Sequence, residues 1–234
     1  STVMSSEDVT STKNTNDDDA FIIEGIEISK TKEVSTSLLL SSNDNDDDET
    51  IVLHHNGEGI RNINIFGFDY KVYVASFYSL HGNLQSMEDV MNDEDTPKRF
   101  DFVFVRSFDK GKVQMAWTRQ LDASITEYYT SYSEYKKDRA MFISFFGEIT
   151  LGGTETVILL KDETIVIDGG IYKGSIKGKN FQRAFLNMWF GQRPVTEGLK
   201  TGFLTGRRKH EEEECNDVSS SSTINNVGKK SILA

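Results

Sequence analysis

An arginine and a tyrosine in the first half of the chain have the chemistry of an anion-binding pair. Arg61 stands at the start of an alternating strand pattern beside Ile63 and Ile65, where a charge needs a partner or water. A guanidinium can donate two parallel hydrogen bonds to a carboxylate, and a tyrosine hydroxyl can add another. If a hairpin sets Tyr73 opposite Arg61, the two side chains form a carboxylate clamp. The same local pattern also fits an exposed edge arginine beside a core tyrosine.

The usual catalytic and cofactor motifs are missing from the sequence. It contains no Gly-x-x-x-x-Gly-Lys-Ser/Thr phosphate loop, no Gly-x-Ser-x-Gly nucleophile elbow and no His-Glu-x-x-His zinc motif. The Gly57–Gly59 pattern is too short for a nucleotide loop. The adjacent pair His54 and His55 would point to opposite faces of a strand, which does not favour a metal site. We therefore expect no metal and no cofactor.

The hairpin that would position the clamp is the clearest local unit of the sequence, residues 60–79. β-branched and aromatic residues flank a turn signal at residues 66–69. A turn centred near Gly67 sets Arg61 opposite Tyr73, because both are equally far from its centre. Period-two alternation then predicts one face with seven members: Arg61, Ile63, Ile65, Lys71, Tyr73, Ala75 and Phe77.

The rest of the chain indicates strands, two helices, more strands and a last helix. Strand patterns cover residues 20–29, 51–54, 100–106, 156–161, 164–167 and 172–176. Helical periodicity covers residues 112–124, 131–147 and 181–190, the last with Asn180 as its predicted N-cap. This order predicts an α+β fold, with a large antiparallel sheet and helices packed on one face.

The acidic balance of the chain comes mostly from three short segments. The net charge is −11, and fifteen of the 37 acidic residues lie in residues 1–19, 44–49 and 211–217. These runs stand among Ser, Thr and Asn, which is typical of solvated, disordered segments. We therefore expect a disordered leader at residues 1–19, one domain at 20–205 with an acidic loop insertion at about 41–50, and a disordered tail at 206–234.

The composition also disfavours several classes of partner and location. No basic stripe with interleaved aromatic residues is present to neutralise phosphates, so a nucleic acid is not an expected partner. No apolar run approaches the roughly 18–20 residues of a transmembrane helix. The one cysteine, Cys215, cannot form an internal disulfide, which indicates an intracellular protein, with cytosol and plastid both open. The sequence leaves the oligomeric state open.

Three stretches together resemble the chalcone isomerase superfamily. Residues 56–61 and 71–78, NGEGIR and KVYVASFY, are similar to the family pattern GxGxR … KVYAxxLY. Residues 97–106, which begin with PKRF and precede the helix of Trp117, resemble its PKRL strand and following helix. Residues 181–200 are similar to FxxALxxMxLGxxPVSxxLK. The order and spacing of the three stretches make the resemblance specific.

This resemblance implies an open-faced β-sandwich with a ligand cleft between a large antiparallel sheet and the helices. The superfamily includes isomerases, which cyclise a chalcone to a flavanone, and fatty-acid-binding relatives that lack this reaction. Of the six positions that correspond to the isomerase site, this chain retains the isomerase residue only at Arg61. Isomerases have Thr, Tyr, Lys, Asn and Thr or Ser where this chain has Tyr73, Trp117, Gln120, Ser124 and Met188.

These replacements imply the fatty-acid-binding branch. An indole and a neutral amide cannot supply the hydrogen bonds and the charge of the lost tyrosine and lysine. The resemblance therefore implies no catalytic residue. It implies a ligand-binding set of Arg61, Tyr73, Trp117 and Met188, in which the first two hold the carboxylate.

Three functions stay open at this point. The leading hypothesis is a non-catalytic protein that binds a fatty acid or another lipid carboxylate. The first alternative is a chalcone–flavanone isomerase, an intramolecular lyase, with an altered site. The second alternative is an interaction protein in which the cleft is vestigial and the acidic segments bind a partner.

Overall fold

The computed structural model describes residues 20–35, 50–124, 128–129 and 131–205. In these residues the chain forms a small two-stranded hairpin, a seven-stranded antiparallel sheet and helices on one face of that sheet. The predicted α+β class is thereby confirmed. The predicted leader, the predicted tail and all of the acidic loop except Thr50 lie outside the described residues, so the domain limits stay predictions.

Each strand of the large sheet lies beside its neighbour in sequence, and each pair is antiparallel. The small hairpin consists of β1 (Ala20–Ile23) and β2 (Ile26–Ser29). The large sheet consists of β3 (Thr31–Ser35), β4 (Thr50–Ile65), β5 (Phe68–Ser79), β6 (Lys98–Phe104), β7 (Thr154–Leu160), β8 (Glu163–Asp168) and β9 (Ile171–Lys177).

The helices pack against the sheet and against one another. They are α1 (Met87–Asn92), α2 (Lys110–Ser124), α3 (Tyr132–Ser144), α4 (Lys179–Phe190) and a further helix over residues 197–205, here α5. Among the described residues, no helix has the length and apolarity needed to cross a bilayer.

Alternation along the central strand β6 fixes the face on which the helices pack. Phe100, Phe102 and Phe104 are buried, whereas the residues between them are only half-buried, as the two-residue period of a strand requires. Phe102 contacts Trp117 of α2 and Trp189 of α4, with ring centroids 5.6 and 5.3 Å apart. The aromatic core therefore lies between the sheet and the helices, beside the predicted site.

Two glycines of β4 let α5 lie directly on the strand. A Cβ atom on Gly57 would lie 2.1 Å from the carbonyl oxygen of Gly202, and no side chain fits in that gap. A Cβ atom on Gly59 would lie 3.0 Å from the Leu199 side chain. The neighbouring Asn56 stands in a β-bulge, and its amide donates to the Phe203 carbonyl of α5 at 2.7 Å. The glycines of this motif therefore serve the packing of α5.

The helix termini differ from the prediction in two respects. The N-cap of α4 is Gly178, not Asn180, because a φ of 106° lets the chain turn directly from β9 into the helix. The prediction of Asn180 as the cap is wrong. Neither α1 nor α5 was predicted, since both are too short to form without a cap or tertiary packing. α1 has such a cap, a capping box between Ser86 and Asp89.

Candidate ligand-binding cleft

Arg61 on β4 and Tyr73 on β5 are directly opposite each other in the antiparallel ladder, as predicted. Both residues are half-buried. The guanidinium is anchored on one side, because its Nη1 donates to the backbone carbonyl of Val195 at 3.0 Å. That bond uses one of the five N–H groups of the side chain, so the other donors can serve a ligand.

A β-bulge at Val72, which the sequence did not indicate, produces this pairing. The turn consists of residues 66–67, and a ladder symmetrical about it would set Arg61 opposite Val72. Val72 is instead an extra residue in β5, so the partner of Arg61 becomes Tyr73. Both Val72 and Tyr73 line the cleft described below. The predicted pairing is therefore right although the predicted turn centre was half a residue off.

The bulge also divides the residues that were predicted to share one face. Lys71 lies on the face opposite the cleft, where its Nζ pairs with Glu24 at 2.5 Å. The prediction that Lys71 belongs to the cleft face is wrong, because the extra residue inverts the alternation between it and Tyr73. Ile63 lines the cleft, and Ala75 and Phe77 are buried in the core beneath the helices.

A cleft of about 300 Å³ lies between the β4–β5 hairpin, α2 and α4. This volume is at the low end of the range for small-molecule sites, about 300–1,000 Å³. Its described lining is mostly apolar and aromatic, with three cations, Arg61, Lys112 and Arg119, and no acidic residue. The cleft lining is thus positively charged, although the chain as a whole has a net charge of −11. It favours an anionic group on an apolar ligand.

The inner wall of the cleft is aromatic. The Tyr73 ring packs edge-on against Phe104, with centroids 5.3 Å apart, and Trp117 and Trp189 contribute from α2 and α4. Burial raises the pKa of the Tyr73 hydroxyl well above its ordinary value, against the opposing effect of the Arg61 charge. The hydroxyl therefore keeps its proton at physiological pH and can donate to a carboxylate.

Beside the cleft, a buried carboxyl group ties α2 to the sheet. The indole Nε1 of Trp117 donates to Oε2 of Glu155 on β7 at 3.2 Å, and Glu155 is 0% exposed. Burial, and then the charge of Asp168, raises the pKa of Glu155 to about 8. Sequence reasoning missed this residue. The signal was the alternation of β7, which places Glu155 on the same face as the core residue Val157.

The protein-family model described as chalcone isomerase-like matches residues 43–205, more than half of the chain. The chain belongs to the chalcone isomerase-like family. Its fold is similar to that of the fatty-acid binding protein AtFAP1 of Arabidopsis thaliana, with a TM-score of 0.55 and 15% sequence identity. That similarity covers 79% of this chain and 95% of the other. No curated protein sequence matches the chain.

This chalcone isomerase-like protein brings five of the six predicted site positions to one cleft. The lining includes Arg61, Tyr73, Trp117, Gln120 and Met188. Ser124 is the exception, because it is buried on α2 and its hydroxyl donates to the carbonyl of Gln120 at 3.0 Å. All of these positions except Ser124 therefore lie at one cleft, and their binding roles stay a proposal.

The prediction missed two cleft cations, Lys112 and Arg119. They are seven residues apart on α2 and so lie on one helical face. Met115 and Ala116, which lie between them, also line the cleft and are exposed. The i, i+3, i+4, i+7 spacing was visible in the sequence, but without the fold nothing showed that this exposed face borders a cleft.

Proposed function

We propose that this chalcone isomerase-like protein binds a fatty acid or a similar long-chain carboxylate and is not a catalyst of chalcone isomerisation. The observation that carries the proposal is the composition of the cleft. Its described lining has three cations, Arg61, Lys112 and Arg119, and no acid, and the remainder is largely apolar and aromatic. A cleft of this kind matches an amphiphile with one anionic group and an apolar tail.

The carboxylate would bind at Arg61 and Tyr73. The Val195 carbonyl holds the guanidinium in place at 3.0 Å, so little side-chain entropy is lost when a ligand binds. The Tyr73 hydroxyl stays protonated and can donate to the second carboxylate oxygen. A hydrogen bond to a charged group contributes about 1.5–3 kcal/mol, which fixes the direction in which the ligand lies.

The tail would lie along the aromatic and aliphatic wall formed by Phe104, Val113, Trp117 and Met188. Each methylene group that leaves water contributes about 0.8 kcal/mol, so about ten of them contribute roughly 8 kcal/mol. Association costs several kcal/mol of this, and the tail alone then binds weakly. Adding the Arg61 clamp brings the expected dissociation constant toward the micromolar range.

Two hydrogen bonds support binding over isomerisation. The indole N–H of Trp117 donates to Glu155, and the hydroxyl of Ser124 donates to the Gln120 carbonyl. These are two of the positions at which the family resemblance places polar groups of the isomerase site, and here their donors are used within the protein. The fatty-acid binding protein AtFAP1 has a similar fold, which adds support.

Calorimetric titration with dodecanoate tests the proposal. We expect saturable binding to the wild-type protein and about 10–100-fold weaker binding to Arg61→Ala. Arg183→Ala is the matched control, because Arg183 is also an arginine but pairs with Glu94 outside the cleft. Flavanone formation from a chalcone that disappears in Arg61→Ala would favour an isomerase instead. Absence of both binding and turnover would favour an interaction protein.

A further inference from the structure

The turn between β4 and β5 carries large apolar side chains that face solvent. Phe66 is 97% exposed, Phe68 is 69% exposed and Ile65 is 43% exposed. Scattered exposed apolar residues are ordinary on protein surfaces, but a contiguous cluster marks an interaction site. We call residues 65–68 the hairpin tip.

Local stability does not explain the phenylalanine at this turn. The φ of Phe66 is 54°, in the left-handed region where Gly, Asn and Asp are favoured and a bulky side chain is strained. Gly67, with a φ of 86°, is the usual second residue of such a turn, but the usual first residue is Asn, Asp or Gly. Phe66 therefore weakens the turn while presenting an aromatic ring to solvent, which indicates a contact outside the folded chain.

The hairpin tip continues the face that forms the cleft. Ile63 lines the cleft, and Ile65 pairs with Phe68 on the same face, about 7 Å further along the strand. The pairing of β3 with β4 ends at His54, and that of β6 with β5 ends at Tyr73. The outer half of the hairpin thus projects beyond the strands that flank it.

Exposed cations stand beside this apolar projection. Lys112 and Arg119 lie at the cleft, and Arg106 lies over the Tyr70 ring of β5 with 5.1 Å between its Cζ and the ring centroid. All three cations are exposed. An acid also lies beside them: the carboxylate of Asp109 pairs with Lys112, with 2.8 Å between Oδ2 and Nζ.

The one acidic residue of the outer hairpin, Asp69, lies on the face opposite the cleft. Asp69 pairs with Asn64 in the ladder, so it lies on the face opposite Ile65 and Phe68. Its carboxylate accepts a hydrogen bond from the Asn64 amide at 2.9 Å. The cleft side of the hairpin therefore combines apolar side chains with cations.

We propose that the hairpin tip and the cations Arg106, Lys112 and Arg119 dock the protein on an anionic phospholipid bilayer. Aromatic and aliphatic side chains partition into the bilayer interface, and cations beside them are attracted to anionic headgroups. A convex tip suits a bilayer, which needs no complementary pocket. A symmetric contact with a second copy would instead bring the cations of both copies into one interface, where like charges repel.

Docking in this orientation brings the cleft next to the acyl region of the bilayer. A fatty acid could then pass between bilayer and cleft without crossing bulk water. This transfer step rests on the proposed function, whereas the docking does not.

Vesicle flotation tests the docking. The vesicles contain phosphatidylcholine alone or equal parts of phosphatidylcholine and phosphatidylglycerol. The test variant combines Phe66→Asn with Phe68→Gln, and its folding is not at risk because Asn is favoured before Gly67 in this turn. The control combines Ile171→Gln with Tyr172→Gln, two exposed apolar residues that follow the turn between β8 and β9, away from the cleft.

We expect the wild-type protein and the control variant to float with the anionic vesicles. The partition coefficient of the hairpin variant should be at least about tenfold lower. Added salt should lower the wild-type signal, since the cations contribute. Equal flotation of wild type and hairpin variant, or an equal loss in the control, would overturn the proposal. A dimer that forms without vesicles and is lost in the hairpin variant would assign the tip to self-association instead.

Dodecanoate titration without vesicles separates the two proposals. Phe66 and Phe68 do not line the cleft, so the hairpin variant should bind dodecanoate like the wild type. Arg61→Ala should bind dodecanoate about 10–100-fold more weakly and still float. Failure of flotation therefore contradicts the docking alone, and failure of titration contradicts the proposed function alone.

Discussion

A single hydrogen bond joins Trp117, in the wall of the cleft, to Glu155 in the buried face of the sheet, with 3.2 Å between Nε1 and Oε2. The second carboxyl oxygen of Glu155 is buried and has no hydrogen-bond partner among the described residues. A buried carboxylate without a cation is costly, so the protonated form is favoured. The position of the indole in the cleft is therefore coupled to a neutral acid beside it.

Glu155→Gln should stabilise the protein at alkaline pH and have little effect at acidic pH. The folded chain holds a proton on Glu155 that the unfolded chain releases, because the pKa rises from 4.5 to about 8 on folding. The free energy of unfolding of the wild type therefore falls as the pH rises through this interval, by about 1.4 kcal/mol per pH unit from this group. Glutamine keeps an oxygen acceptor for the indole and has no such dependence.

Urea denaturation of both proteins across this pH range measures the effect. We expect Glu155→Gln to gain about 2–4 kcal/mol relative to the wild type between about pH 5 and pH 8. The charge of Asp168 on β8 and that of Arg61 near Tyr73 are present in both proteins, so they do not change the direction in which the stability difference varies with pH. A constant difference between the two proteins at every pH would show that Glu155 does not titrate in this way.

Gly57→Ala should strongly destabilise the fold. The new Cβ atom would lie 2.1 Å from the Gly202 carbonyl oxygen, and backbone atoms on both sides leave no flexible side chain to move. Overpacking of this kind costs about 1–3 kcal/mol or more. Gly198→Ala is the matched control, because Gly198 stands in α5, the helix that contacts Gly57, and no atom lies within 4 Å of its added Cβ.

The unfolding midpoints of the two glycine variants give the test. Gly198→Ala should be neutral or stabilising by up to about 1 kcal/mol, since alanine favours a helix. If Gly57→Ala unfolded at the same denaturant concentration as Gly198→Ala, the direct contact of α5 with β4 would be contradicted.

Within the clamp, the arginine should matter more than the tyrosine. Arg61→Ala removes a charged donor and should weaken dodecanoate binding about 10–100-fold, whereas Tyr73→Phe removes a neutral donor and should weaken it about 2–10-fold. Arg61→Lys should lie between the wild type and Arg61→Ala, because an ammonium keeps the charge and loses the planar fork. Titration calorimetry gives all four dissociation constants. Equal and negligible effects of Arg61→Ala and Tyr73→Phe would exclude the clamp.

Intrinsic fluorescence should report directly on the cleft. The chain has two tryptophans, Trp117 and Trp189, and both line the cleft. Dodecanoate binding should therefore change the emission intensity or maximum, and Trp189→Phe should leave a response from Trp117 alone. Emission that stays unchanged at a dodecanoate concentration that saturates the calorimetric signal would place the ligand elsewhere on the protein.

Local patterns allowed much of the fold and part of the site to be predicted. The two-residue period of β6 and the turn between β4 and β5 indicated the sheet and the opposition of Arg61 and Tyr73. The family motifs then indicated Trp117, Gln120 and Met188. These signals are local because each depends on residues a few positions apart in one strand, helix or hairpin.

The features that the sequence did not reveal depend on contacts between distant segments. The bulge at Val72 moves Lys71 to the opposite face, and no residue type near it marks an extra position. Glu155 bonds to Trp117, which lies 38 residues away in sequence, and Gly57 is needed because a Cβ atom there would collide with α5. Ser124, which the family motif assigns to a position of the isomerase site, does not line the cleft, and its hydroxyl donates to the carbonyl of Gln120 in the preceding helical turn.

Native mass spectrometry of the freshly purified protein tests the fatty-acid-binding proposal most directly. We expect a fraction of the wild-type protein to carry an added mass that is released on denaturation and identified as a fatty acid. The same preparation of Arg61→Ala should carry none, and Arg183→Ala should resemble the wild type. A wild-type protein that has the mass of the bare chain, and keeps it after incubation with fatty acids, would contradict the proposal.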